Sequence, residues 1–154
     1  MRTIKVIYQS QTGFTQAFAQ QLAQTLHAEL VDTKLIAPKD FEHVDVVLYG
    51  GHVSGHQIAG FKRFYRQYAE LLPPHFLVFG TGIFPMSLTE VEKLQVKSFA
   101  TCHQQPVFRY LQGQPEVDLP WRLRLKLKVK GGTDAETSGL EAVRPVLEAV
   151  DHLL

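Results

Sequence analysis

The chain has 154 residues, 45% of them hydrophobic and 20% charged, and a formal net charge of +1. That length suits a single domain with one core, and that balance excludes a disordered polyelectrolyte. With charge so near zero, a nucleic-acid-binding domain is not expected.

Met1-Arg2-Thr3-Ile4 leads directly into Ile4-Lys5-Val6-Ile7-Tyr8, an apolar run rich in β-branched residues that predicts a buried strand. This start leaves no room for a signal peptide, and no apolar run approaches the roughly 20 residues needed to cross a bilayer. A cytoplasmic protein is expected. Phe14, Phe18, Leu22 and Leu26 follow at i, i+4 spacing, on one face of a helix. Ala28-Glu29-Leu30-Val31 predicts a second strand, with a loop through Ala37-Pro38-Lys39-Asp40 behind it. Val44 to Tyr49 predicts a third strand, apolar enough to be buried on both faces, that ends in a glycine-rich loop from Gly50 to His56. Phe61, Phe64, Tyr65, Tyr68, Leu71 and Leu72 mark a helix that Pro73-Pro74 stops. Phe76-Leu77-Val78-Phe79 predicts a fourth strand and Gly80 to Pro85 a loop. Ser87 and Thr89 each precede a glutamate by three residues (Glu90 and Glu92), which signals a capped helix start. Cys102, the only cysteine, stands near the end of that helix and excludes an internal disulfide and a multi-cysteine metal site. Val107 to Leu111 predicts a fifth strand. Val143, Val146, Leu147, Val150 and Leu153 share one side of a last helix, which Pro145 should start or kink.

Strands alternating with helices predict an α/β domain with a parallel sheet, whose ligands bind beyond the carboxyl ends of the strands. The segments 9–15, 50–58 and 80–87 leave strands one, three and four. The first is the most informative. Ser10-Gln11-Thr12-Gly13-Phe14-Thr15 joins a strand to a helix, and no charged side chain occurs from Gln9 through Gln16. The helix N-terminus aims unpaired N–H groups and its positive dipole end at this turn. Ser10, Thr12 and Thr15 add hydroxyls, and Gly13 lets the backbone close around a ligand. Such a cradle holds a phosphate with dipoles instead of lysine or arginine. The plainer alternative is a turn with an ordinary Ser or Thr cap.

The Ser-x-Thr-Gly-x-Thr pattern after the first strand resembles the phosphate loop of the flavodoxins, which holds the monophosphate of FMN. The resemblance implies a flavodoxin-like doubly wound five-stranded parallel sheet in the order 2-1-3-4-5, with helices on both faces. It implies FMN as cofactor, with Ser10, Gln11, Thr12, Gly13, Phe14 and Thr15 around the phosphate. Gly51, His52, Val53, Ser54 and Gly55 would line one edge of the ring, and Thr81, Gly82, Ile83 and Phe84 the other. His52 and His56 are candidate proton donors, although loop histidines are more commonly exposed and merely hydrogen-bonded. Other doubly wound proteins fail at these positions. A response regulator needs acids where Gln9-Ser10 and Tyr49-Gly50 stand, and Gly80-Thr81-Gly82 meets Pro85 where a dinucleotide fingerprint needs its third glycine. A low-molecular-weight tyrosine phosphatase needs a cysteine in the first loop.

Residues 114–138 form an insert before the last helix. It resembles the insert of the menaquinone-dependent protoporphyrinogen IX dehydrogenases through Arg109-Tyr110, Trp121 with a following basic-apolar run, and Gly131-Gly132-Thr133-Asp134. Arg122, Arg124, Lys126, Lys128 and Lys130 alternate with Leu123, Leu125, Leu127 and Val129, a strand-like period of two. The resemblance implies a largely helical insert, and Leu, Lys and Arg are good helix formers, so a helix is expected. Without those five cations the chain carries 11 basic and 15 acidic residues. A mildly acidic body with one basic strip suggests contact with a membrane surface or a redox partner through Arg122 to Lys130, or simply a solvated face.

Two functions are compatible with these residues. One is an FMN oxidoreductase acting on a small-molecule or quinone substrate. The other is a non-catalytic carrier of single electrons, although carriers of that kind are usually strongly acidic. Phe84 is the only aromatic in the two ring-side loops, where many flavodoxins stack a tryptophan and a tyrosine. One ring face would then stay open to a flat substrate. A flavodoxin-like domain that no longer binds flavin is a third possibility.

Overall fold

The computed structural model describes residues 3–113 and 133–153. Its parallel sheet is built from β1 (Ile4–Tyr8), β2 (Glu29–Asp32), β3 (Val46–Ser54), β5 (His75–Gly82) and β6 (Val107–Gln112), while the short β4 (Gln57–Ile58) pairs antiparallel with the end of β3. The parallel strands lie in the order β2-β1-β3-β5-β6. Counted without β4, this is the expected order 2-1-3-4-5. Every residue of β1 is buried, as is β3 from Val46 to Gly51, because helices cover both faces and leave no place for alternation.

The helices are α1 (Phe14–Leu26), α2 (Phe61–Tyr68), α3 (Leu88–Phe99) and α4 (Thr133–Leu153). On one face Val6, Leu48, Leu77 and Phe79 pack against Phe18 and Leu22 of α1 and Val143, Val146 and Val150 of α4. On the other, Ile7, Val47, Tyr49 and Val78 pack against Phe61 and Phe64 of α2 and Leu94 and Phe99 of α3. Fully burying one such aliphatic side chain contributes about 1.5–3 kcal/mol. These two layers therefore bury the sheet on both faces.

Three expectations are corrected. The stretch from Gly50 to His56 is not the loop its glycines predict: β3 continues to Ser54 and turns back into β4. A Cβ on Gly50 would run into the ring of Phe79, so this glycine admits an aromatic ring instead of breaking the strand. The turn itself puts Gly55 at φ 57 and His56 at φ 61, the left-handed pair that tight hairpins require. The second helix ends at Tyr68, and Ala69–Leu71 tightens into a 3₁₀ turn before the prolines. Of the two expectations for Pro145, a helix start or a kink, the first is overturned, because the residue sits inside α4. The fully buried Val143 and Val146 flank it on the core face, and their packing outweighs the lost backbone hydrogen bond. The expected cap of α3 is present, with Ser87 Oγ accepting the Glu90 N–H at 3.2 Å. The proposed helix in the insert, Trp121 and the cations from Arg122 to Lys130 lie outside the described residues.

Tyr49 ties the hairpin to the core. Its ring is fully buried and stacked on Phe64 with centroids 4.6 Å apart, and its hydroxyl donates to the Ala59 carbonyl at 2.7 Å. Burial raises the phenol well above its ordinary value. The unfolded chain therefore loses this proton first, and stability should fall as pH rises above about 10. Tyr49→Phe is expected to cost about 1 kcal/mol at neutral pH and to flatten that alkaline loss, both read from denaturant midpoints against pH.

Candidate functional site

Register brings the predicted segments to one edge. Tyr8 pairs with Gly50, Gly51 with Gly80, and His52 with Thr81, so β1, β3 and β5 run to the same edge, where β3 and β5 extend past the end of β1. The turn after β1, the hairpin after β3 and the segment after β5 all open at that carboxyl edge, where α/β sheets take ligands.

The phosphate-type turn is built from its own backbone. Gly13 stands at φ 89 as the residue before α1, a conformation that suits glycine, and nothing lies within 4 Å of where its Cβ would be. Its N–H donates to Ser10 Oγ at 3.0 Å, which closes the turn and leaves the Ser10 hydroxyl proton to donate outward. No side chain caps α1. Its first-turn amides thus keep no side-chain partner among the described residues, and Gln11 and Thr12 are exposed beside them. Amides, hydroxyls and a helix dipole with no cation suit the terminal phosphate of a mononucleotide. The Ser10 Oγ bond to the Gly13 N–H is also what an ordinary serine-closed turn shows.

The remaining residues divide by exposure. Phe14 is buried, its ring edge-on to Phe18 at 5.4 Å and to His52 at 6.1 Å between centroids, so it offers the site its amide rather than its ring. Thr15 is also buried, with Oγ1 2.8 Å from Oγ1 of Thr81, which is fully buried. That bond joins the turn after β1 to the end of β5. Gly51 and Gly82 are buried, Val53 and Ile83 half-buried, and His52, Ser54, Gly55 and His56 exposed. Phe84 is 76% exposed.

Sequence reasoning missed the groups that hold this rim. The Tyr110 hydroxyl donates to the Phe84 carbonyl, and Gln112 Nε2 donates to that of Ile83 at 3.3 Å. Both come from the last turn-ward residues of β6, one on from each other in the alternation. Tyr110 and Gln112 alternate with the buried Leu111 at the carboxyl end of β6, which puts both on one face there. Among the described residues no cluster of His, Cys, Asp and Glu could hold a metal ion, and no helix is long and apolar enough to cross a membrane.

The buried hydroxyl pair yields a test. Thr15→Val or Thr81→Val alone strands the partner hydroxyl and is expected to cost about 1–3 kcal/mol, whereas the double replacement should cost less than the two singles added. Urea unfolding of the four proteins measures it.

Residues 5–119 match the sequence model of a family described as a flavodoxin domain. No curated protein matches the chain. Among solved structures, the flavodoxin of Streptococcus pneumoniae TIGR4 superposes with a TM-score of 0.52 at 19% identity, over 80% of this chain and 93% of its own. A flavodoxin from the domain Archaea gives 0.50 at 17% identity, over 84% and 96%. Rubredoxin:oxygen oxidoreductase from the anaerobe Desulfovibrio gigas gives 0.50 at 14% identity, over 97% of this chain but 37% of the enzyme. At these identities the likeness is one of fold; the family match carries the assignment. The chain belongs to the flavodoxin-domain family.

Proposed function

We propose that the protein binds FMN and is an oxidoreductase that moves two electrons from a reduced organic substrate to a quinone-like acceptor. The observation that carries the cofactor is the turn at Ser10 to Thr15: an uncapped helix start, a left-handed Gly13 and no charge. The fit extends to the neighbouring edges, where the backbone of β3 and β5 ends beside the turn. Bound FMN supplies the redox chemistry. The chain supplies the rest. Amides of α1 and the hydroxyls of Ser10 and Thr12 would hold the phosphate, and the backbone at Gly51 and Gly82 would meet the ring. His52 or His56, both exposed, would exchange a proton with solvent at an imidazole nitrogen.

Titration with FMN, followed by quenching of its fluorescence, tests the cofactor. The wild type should bind FMN in preference to FAD or NAD. Thr12→Val should weaken binding by about tenfold or more, since hydrogen bonds to charged groups are worth about 1.5–3 kcal/mol. Gly13→Val, which cannot adopt φ 89 without strain, should weaken it further. No binding to the wild type would sink this reading.

Two features favour an enzyme over a one-electron carrier. Exposed Phe84 stands as the only aromatic in the two ring-side segments, so one face of a bound ring would be open to a flat substrate. The basic strip in an otherwise mildly acidic chain suits an anionic membrane surface, where each cation near the surface is worth about 1 kcal/mol. Together with the resemblance of the insert, these point to the protoporphyrinogen-dehydrogenase type of chemistry. With FMN bound, the protein should reduce a soluble short-chain quinone and a long-chain quinone in anionic vesicles. Neutralising Arg122, Arg124, Lys126, Lys128 and Lys130 should lower only the vesicle reaction. Support of a flavodoxin-dependent partner enzyme without any quinone reduction would establish the carrier instead.

A further inference from the structure

We infer that Tyr110 and Gln112 are positioning residues, which hold the segment after β5 from across the sheet edge and so aim Phe84 at a bound ring. The inference rests on the FMN reading. Its basis is an imbalance in how this segment is held. Phe84 keeps its side chain 76% exposed, yet its own carbonyl and that of Ile83 are each gripped by a side chain 26 or 29 residues further along the chain. No other side-chain hydrogen bond reaches residues 83–86 among the described residues. The segment leaves β5 at Gly82 and enters α3 at Ser87. Between those points its course is set from β6.

The geometry of the grip is specific. A Cβ on Gly82 would collide with the Tyr110 hydroxyl, so this glycine keeps open the lane by which the phenol crosses β5 to reach Phe84. Gly82 and Gln112 are paired in the ladder, and the Gly113 N–H donates to the Gly82 carbonyl at 2.8 Å, which fixes the register of the two gripping residues. Burial, with Glu90 nearby, holds the Tyr110 phenol above its ordinary value, so it remains a donor throughout the neutral range. A surface aromatic whose backbone is fixed before the ligand arrives has little ordering entropy left to lose on binding. Mere stabilisation of the fold would not need both bonds on the two carbonyls that flank and bear the exposed ring.

A double-mutant cycle separates positioning from packing. Tyr110→Phe keeps the ring and removes only the donor. FMN affinity is measured for the wild type, Y110F, F84A and Y110F/F84A, with thermal midpoints for all four. Y110F is expected to weaken FMN binding by about tenfold, the worth of one well-placed hydrogen bond. In the F84A background the same change should alter affinity less than about twofold, because there is no ring left to aim. Gln112→Met, a milder change, should act in the same direction and also lose its effect beside F84A. An equal loss in both backgrounds, or a loss that follows the thermal midpoint, would overturn the inference and leave Tyr110 a packing residue. Wild-type binding with an unaltered Y110F would overturn it alone. A wild type that does not bind FMN would overturn the cofactor reading first.

Discussion

The sheet has one register that works, and the site is a by-product of it. β3 lies between β1 and β5, and its residues point alternately into two separate apolar layers. A slip of one residue would send Leu48 toward α2 and Tyr49 toward α1, exchanging every side chain between layers. Neither layer could take the exchange. Tyr49 needs the Ala59 carbonyl for its hydroxyl, and Gly50 must stand where the Phe79 ring crosses. Holding that register also sets where the three strands stop. The turn after β1, the hairpin after β3 and the segment after β5 arrive together because their strands are pinned further back.

The site itself is held by bonds that run between segments. Thr15 and Thr81 share a buried hydrogen bond, Phe14 touches His52 edge-on, and β6 grips the carbonyls at Ile83 and Phe84. A phosphate group and a flat ring would be held by different segments of the chain. These contacts tie the turn after β1, the end of β3 and the segment after β5 to one another. The histidines differ in kind. His56 adopts φ 61 in the hairpin turn and is exposed at its tip, while His52 stands on the strand itself beside the Phe14 ring.

Much of this was legible in the sequence, for local reasons. The β-branched apolar run from Ile4 to Tyr8 marked a buried strand, and the i, i+4 spacing from Phe14 marked the helix behind it, so the strand-turn-helix frame around Gln9 to Gly13 could be read locally. The cap at Ser87 was equally plain, since both partners lie within one turn. What could not be read was non-local. Glycine density from Gly50 to Gly55 looks like a loop until the Phe79 ring is seen across from Gly50. Pro145 looks like a helix start until the core face around it is packed. Tyr110 and Gln112 act on residues more than twenty positions earlier, and no pattern within β6 names their targets.

The contact between Gly50 and Phe79 has a consequence for how such a chain can change over generations. The ring occupies the space that any larger residue at 50 would need, and the residues belong to neighbouring strands paired at those positions. Neither position can drift alone: a side chain at 50 is tolerated only after the ring at 79 has shrunk, and a smaller residue at 79 leaves a void that invites one at 50. Among related chains these two sites should therefore record their history jointly, as a small residue facing a large one on either strand. That linked pair would mark the register of β3 more faithfully than the glycine count of the segment.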